Sequence, residues 1–317
     1  MEKEAKIYIS GHSGLLGSAL VRCLKKIGYT NLLVKTSEEI DLRNQREVES
    51  FFEKEKPDYV IHAAARVGGI KANMEKPAQF IYDNIQMETN VINSAWKYGV
   101  KKLLFISSNC IYPKDAKQPF QEDSLGTGKI ESTNEAYGMA KLAGMAMCKA
   151  YNTQYKTNFI SVIPCSLFGP GDNFDPEGSH LIPALIRKFY EAKINNLSEA
   201  VLWGTGTPRR EIMYVDDAAE ACIFLMNNYN SSEPINAGIG KDYSIKEIAE
   251  MIKEIIGFKG KMVQDISKPD GINKKLIDSS KIYSLGWKPN IDIIEGLKKT
   301  FNWYKDSFDN NKELSHV

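Results

Sequence analysis

Tyr137 and Lys141 stand four residues apart in Tyr137-Gly138-Met139-Ala140-Lys141. On a helix that spacing puts both side chains on one face. An ammonium beside a phenol favours the phenolate, and is expected to bring the tyrosine's proton affinity down toward working pH. Such a phenol can pass a proton to or from a carbinol oxygen. Ser108, at the end of the apolar run Leu103-Leu104-Phe105-Ile106, offers a hydroxyl to the same oxygen. An ordinary solvated helix face also explains an isolated Tyr-x-x-x-Lys. The pair gains meaning only where a dinucleotide site precedes it in the chain.

One does. Lys6-Ile7-Tyr8-Ile9-Ser10 reads as a short buried strand, followed at once by Gly11-His12-Ser13-Gly14-Leu15-Leu16-Gly17 and an amphipathic helix to about Ile27. Strand, glycine turn and helix in that order form a dinucleotide-binding signature. Gly11 allows a tight turn, Gly14 lets backbone approach a pyrophosphate, and Gly17 lets helix and sheet pack closely. The helix N-terminus presents free amides to the phosphates. After the next strand, Leu32-Leu33-Val34, stands Lys35, with Glu38 and Glu39 beyond it. A basic residue there favours a ribose 2′-phosphate and so leans toward NADP; a solvated strand end explains it equally well. Asp41 and Leu42 are placed to approach the adenine. Ala63-Ala64-Ala65, after the strand Tyr59-Val60-Ile61-His62, permit close cofactor approach or act as packing spacers.

The positions that hold these residues follow a regular alternation. A helix is predicted over 79–98, a strand over 102–108, a polar loop over 113–134, the Tyr137 helix to about residue 152 and a strand over 159–164. Alternating strand and helix argue a parallel, doubly wound α/β sheet of the Rossmann type. We place this dinucleotide-binding domain at 1–168 and a smaller α/β substrate domain at 169–317, with some later segments returning to the first. In the second part, a helix over 181–193 is expected to start near Pro183, Asp216-Asp217 to include a helix N-cap, and Ser244 with Glu247 to form a capping box. A last helix includes 301–306, and the tail after Asp309 reads as frayed. Trp203-Gly204-Thr205-Gly206 followed by Arg209-Arg210 joins an indole to two guanidiniums, which clamp phosphates well.

The totals bound the rest. The 317 residues carry a formal net charge of +1 and are 43% hydrophobic. That balance gives no support for nucleic-acid binding by bulk electrostatics. No apolar run is long enough to span a bilayer, and the N-terminus lacks a signal-peptide core. The five cysteines form no disulfide or metal pattern, and the four histidines do not cluster. A cytoplasmic globular protein without a metal is expected.

In these pieces the chain resembles the extended short-chain dehydrogenase/reductases, and within them the GDP-L-fucose synthase family. The resemblance covers nearly the whole chain. It is carried by the glycine motif, His62-Ala63-Ala64-Ala65-Arg66-Val67-Gly68-Gly69-Ile70, Cys110-Ile111-Tyr112-Pro113, Pro183-Ala184-Leu185-Ile186-Arg187-Lys188, Trp203-Gly204-Thr205-Gly206, Arg210-Glu211, Val215-Asp216-Asp217 and Lys268-Pro269-Asp270-Gly271. It implies an NADPH-dependent reductase that also epimerises carbons 3 and 5 of a GDP-4-keto-6-deoxy sugar. Ser108, Tyr137 and Lys141 match the hydride-transfer triad, and Cys110 and His180 the pair that moves protons at carbons 3 and 5. The cofactor would lie against Gly11, Ser13, Gly14, Leu15, Leu16, Gly17, Lys35, Asp41, Leu42, Ala63, Ala64, Ala65, Ser107, Pro164, Ser166, Leu167 and His180. The sugar nucleotide would meet Ser108, Asn109, Cys110, Tyr137, Asn173, His180, Lys188, Trp203, Arg210, Asp270 and Lys275. A homodimer through helices near 80–98 and 137–152 is implied, with Met139, Met145 and Met147 as a weak apolar hint.

The chain departs from the family where arginine or asparagine is usual at Ser13, arginine at Ser37, serine or threonine at Asn109 and asparagine at Ser166. The smaller Ser166 opens room for a bulkier GDP-6-deoxy-4-keto-heptose, which a reductase serving bacterial surface polysaccharide would use. Two further readings compete. A sugar-nucleotide dehydratase would carry an Asp-Glu pair where Asn109-Cys110 stand, and a non-catalytic dinucleotide sensor would have no use for Ser108, Tyr137 and Lys141.

Overall fold

The computed structural model describes residues 1–314 except Glu177 and Pro269, with side chains to Phe308. Residues 315–317 lie outside the described residues, as does Pro269 of the Lys268–Gly271 turn. In chain order the elements are β1 (Ile7–Ser10), α1 (Leu15–Lys26), β2 (Leu32–Leu33), α2 (Gln45–Glu55), β3 (Tyr59–His62), α3 (Ile70–Glu75), α4 (Pro77–Lys97), β4 (Lys102–Ile106), α5 (Glu135–Tyr155), β5 (Phe159–Pro164), β6 (Ser166–Phe168), α6 (Leu181–Ile194), β7 (Glu199–Trp203), β8 (Arg209–Arg210), β9 (Ile212–Tyr214), α7 (Val215–Asn228), β10 (Ile235–Ala237), β11 (Tyr243–Ser244), α8 (Ile245–Ile256), β12 (Lys261–Asp265), β13 (Lys274–Lys275), α9 (Ser280–Ser284) and α10 (Ile293–Leu314).

Six strands form one sheet in the order β10-β5-β4-β3-β1-β2. Every pairing in it is parallel. β1, β3, β4 and β5 are buried along their whole length, because helices cover both faces of a parallel sheet. α1 buries Gly17, Leu20, Cys23 and Leu24, one stripe at helical spacing. The chain goes from β1 outward to β2, then returns to place β3 on the other side of β1. The strand order therefore reverses between β1 and β3, and a crevice opens beyond their C-terminal ends.

A second apolar core gathers α6, α8 and α10 around Ile186, Phe189, Leu202, Ile248, Ile252, Leu297 and Phe301. It lies apart from the core of the six-stranded sheet. α7 and β10 return to the first core through Ala218, Cys222, Leu225 and Ile235.

Two local expectations change, at Asp216-Asp217 and in the C-terminal tail. Asp216 and Asp217 sit in the first turn of α7, whose N-cap is Tyr214. Their carboxylates are engaged elsewhere: Asp216 binds Arg22 of α1 at 2.8 Å, and Asp217 accepts the amides of Asn290 and Ile291. α6 forms over the expected stretch, from Leu181, with Pro183 in its first turn, where a missing N–H falls among the unbonded amides. α10 continues as helix to Leu314, past the expected fraying point. The Ser244–Glu247 capping box forms as its sequence predicts.

Candidate active site

The glycine turn closes the crevice at its base. Gly11 has φ +71°, and a Cβ there would meet the Ala64 backbone at 2.7 Å. Only glycine lets the turns after β1 and β3 touch. The Ala64 amide donates to the Ser10 hydroxyl, tying the turns together. A Cβ on Gly17 would collide with the Gly11 carbonyl, so Gly17 packs against the turn itself rather than the sheet. Gly14 is different. Its backbone is extended, and a Cβ would meet only the Gly11 carbonyl oxygen, at 3.5 Å. No packing inside the protein requires a glycine at 14. The open face beside the first amides of α1 is the cradle a phosphate ligand fits.

The same sheet edge carries the remaining cofactor candidates. Ser107 follows β4, and Pro164, Ser166 and Leu167 lie at the end of β5 and in β6. The buried Ser107 hydroxyl and one buried Asp172 oxygen have no hydrogen-bond partner among the described residues. The 169–172 loop reaches the glycine turn: a Cβ on Gly171 would lie 3.2 Å from the Ser18 hydroxyl. Burial pushes Asp172 up to about 7. These orphaned polar atoms and the open Gly14 face together suit a dinucleotide. Lys35 and Asp41, beyond β2, already have partners. Lys35 pairs with Glu39 at 2.8 Å and Asp41 with Arg43 at 2.8 Å, all partly exposed. Leu42 is buried, and its carbonyl accepts from Asn90.

Tyr137 and Lys141 share one face of α5, as their spacing requires. Ser108 hydrogen-bonds the Tyr137 phenol, and its Oγ lies 2.8 Å from Cys110 Sγ. A turn over Asn109–Ile111 starts at Ser108 and brings the thiol back beside the hydroxyl. Gly138 lets α5 press on this turn, since a Cβ there would meet Ile130 at 3.2 Å and the Cys110 carbonyl at 3.4 Å. Ser108, Cys110 and Tyr137 thus converge on one point.

The expected acidification of Tyr137 does not hold. Burial, with the neighbouring Cys110 and Glu88 charges, holds the phenol well above its ordinary range, against the opposing Ser108 bond. The Lys141 ammonium lies 6.0 Å from the phenol ring centre and 3.0 Å from Glu88, both members of that pair being fully buried. Desolvation raises the phenol, and the carboxylate counters the cation meant to lower it.

The remaining candidates belong to the second part of the chain. His180 is the N-cap residue of α6. The residue is exposed, yet the protein around it desolvates the ring enough to hold it below the usual imidazole range. The loop before it is pinned to the first domain: the Gly69 amide donates to the Gly178 carbonyl. Asn173 is exposed and accepts the Asp175 amide. Arg210 and Lys275 are register partners on β8 and β13. Burial lowers Lys275, while the charge of Cys110 opposes that shift, so the two side chains sense each other. Arg210 donates to the Ile272 carbonyl at 2.6 Å. Further out, Lys188 Nζ lies 5.4 Å and Lys268 Nζ 5.6 Å from the centre of the exposed Trp203 indole. Asp270 accepts from the Thr205 amide and hydroxyl. It holds the Trp203 loop in shape, an arrangement the sequence did not suggest.

A family model described as the NAD dependent epimerase/dehydratase family matches residues 7–243. The chain belongs to the NAD dependent epimerase/dehydratase family. Among its relatives, the putative GDP-L-fucose synthase 2 of Arabidopsis thaliana is 54% identical over 99% of this chain and 95% of its own. A GDP-6-OMe-4-keto-L-xylo-heptose reductase from C. jejuni superposes with a TM-score of 0.93 at 40% identity, covering 97% of this chain and 99% of the other. A GDP-L-fucose synthetase from Naegleria fowleri bound to NADP gives 0.92 at 34% identity, over 98% and 95%. Membership in the epimerase/dehydratase family accords with the doubly wound sheet and the glycine turn. Among the described residues no cluster suited to a metal ion occurs, and no helix is long and apolar enough to cross a membrane.

Two residues of this site escaped the sequence reading, Glu88 and Asp172. Glu88 shares a helical face with Phe80, Asn84 and Ile92, all buried. A carboxylate inside such a stripe was the available signal, because buried glutamates are rare unless paired. Asp172 stood in a loop with no periodicity to mark it.

Proposed function

We propose that this protein reduces carbon 4 of a GDP-4-keto-6-deoxy sugar with NADPH after epimerising carbons 3 and 5, as GDP-L-fucose synthesis requires. The observation that carries the proposal is the convergence of Ser108, Cys110 and Tyr137 beyond the end of β4; His180, the N-cap residue of α6, is assigned the second proton-handling role on the family resemblance. In this reading residues 1–168 chiefly hold the dinucleotide and 169–317 the sugar nucleotide. Trp203, Lys188, Arg210 and Lys275 bind the GDP moiety and its diphosphate, whose negative charge suits three cations.

The substrate ketone acidifies the neighbouring C–H bonds. Cys110 removes a proton from one face and His180 returns one to the other, by way of an enolate. Ser108 and Tyr137 hold the carbonyl oxygen throughout, and Tyr137 gives it a proton at the end. Lys141 orients the nicotinamide ribose. Bound NADPH would supply the hydride that reaches carbon 4. Turnover with NADPH in deuterated water tests the scheme: product without deuterium at carbons 3 and 5 rules out the epimerisation.

A second reading keeps the reduction and replaces the hexose by a GDP-6-deoxy-4-keto-heptose. Ser166, half-buried at the sheet edge, and the likeness to a heptose reductase favour it. Specificity constants for the two ketosugars decide between them, and a clear hexose preference removes the heptose. We further propose a homodimer through α4 and α5, where Tyr82, Trp96, Met139 and Tyr155 remain exposed. Sedimentation of the purified chain as a monomer at micromolar concentration would exclude it.

A further inference from the structure

We propose that Glu88 is a positioning residue that anchors the Lys141 ammonium and balances its charge, so that Tyr137 meets the substrate carbonyl as a protonated acid. The inference rests on the reductase reading and adds to it a residue on a different helix.

Three observations carry it. Glu88 Oε1 lies 3.0 Å from Lys141 Nζ, and both side chains are buried to within 2% of full enclosure. Neither Glu88 oxygen has another donor among the described residues. Room for the carboxylate comes from Gly144, one turn beyond Lys141. A Cβ there would sit 2.7 Å from Glu88 Oε2 and collide with the Phe105 ring. The helix contact is shaped around this ion pair, and a buried pair broken on one side is strongly destabilised.

The consequence is chemical. An uncompensated ammonium near Tyr137 would favour the phenolate, which can accept a proton but cannot give one. Ketone reduction needs the phenol to donate. With Glu88 present the ammonium still has protons for a ribose hydroxyl, and the carboxylate 3.0 Å from it opposes its effect by raising the phenol. Other groups face the pair. His62 on β3 senses Lys141, and Cys148 on α5 senses Glu88. The phenol also senses Cys110, and Lys275 in turn senses Cys110. His62 is held down to about 3 and is neutral at working pH. Cys148 is raised by burial and is also neutral. Burial raises Glu88 itself and the Lys141 charge opposes that rise; at 3.0 Å it is the group among these described ones placed to offset Lys141.

The test uses Glu88→Gln and Glu88→Asp in the full-length enzyme. Tyrosinate absorbance is titrated in the absence of substrate, with Tyr137→Phe subtracted to isolate this phenol. The pH profile of single-turnover NADPH oxidation is then followed with the ketosugar. For Glu88→Gln we expect the Tyr137 titration, and the alkaline limb of the profile, to move down by about one pH unit or more. Glu88→Asp should keep most of the wild-type behaviour. Unchanged titration in a folded Glu88→Gln protein overturns the inference. Should that variant not fold, a Glu88→Asp protein titrating like wild type while losing reduction also overturns it, since a purely structural role would then explain the loss. Absence of any ketosugar reduction by the wild type would refute the reductase reading instead, and the substrate-free titration would still decide the role of Glu88.

Discussion

The Ser108 hydroxyl stands 2.8 Å from the Cys110 sulfur, so the group that holds a carbonyl oxygen and the group that can take a proton beside it share one point. Changing Cys110 to Ser should cut deuterium wash-in at the sugar by about 10²- to 10⁴-fold and leave NADPH oxidation measurable. Tyr137→Phe should do the reverse, stopping reduction while exchange continues. Product analysis by NMR separates the two outcomes, and a parallel loss of both steps in each variant would contradict the division of labour.

Gly14 and Gly17 offer a matched pair. Alanine at 14 meets no obstruction and an allowed backbone. Its melting temperature should stay within a degree or so, while NADPH affinity falls about tenfold or more, or ~1.4 kcal/mol. Alanine at 17 would strike the Gly11 carbonyl, and overpacking of this kind costs about 1–3 kcal/mol. Calorimetry should show a melting temperature lower by several degrees. Equal stability of the two variants would refute the packing argument.

His180 and Tyr137 are shifted in opposite directions, His180 down by desolvation and Tyr137 up by burial. As pH rises, protonated His180 is lost first and protonated Tyr137 last. The ratio of epimerised to merely reduced product should therefore fall with rising pH. A ratio that stays constant or climbs from pH 6 to 9 would remove His180 from the proton-return step.

Asp172 is raised to about 7 by burial, from an ordinary carboxyl near 3.8. A group raised on folding contributes stability that is complete below its unfolded pKa and lost as pH climbs through the folded one. Asp172→Asn should thus stabilise the ligand-free protein at pH 8, on the order of 2 kcal/mol, and bring little change near pH 4. Thermal melts at the two pH values read this directly.

Trp203, at the end of β7, is exposed with the Lys188 and Lys268 ammoniums 5.4 and 5.6 Å from its ring centre, and it joins neither core of the described residues. Trp203→Ala should raise KM for the GDP-sugar about tenfold or more with kcat nearly kept, the mark of binding that is equal in ground and transition states. A fall in kcat alone would place the indole nearer the chemistry than proposed.

Much of this molecule is written in local pattern. Alternating apolar runs and helical stripes determine the parallel sheet and its helices, because burial on two faces leaves a periodicity that any stretch carries by itself. The glycine turn and the Tyr137–Lys141 spacing are likewise local, set by backbone geometry and helical pitch. Charge balance is not local. Glu88 lies 53 positions before Lys141, yet the two come within 3.0 Å, and burial together with the Cys110 and Glu88 charges reverses the acidity expected of Tyr137. Asp270 likewise turned out to brace the Trp203 loop from 65 residues away. Electrostatic shifts depend on distance and desolvation, and both exist only once α4 and α5 are packed together. The sequence by itself determined which groups could react; the tertiary structure decided their protonation and their partners.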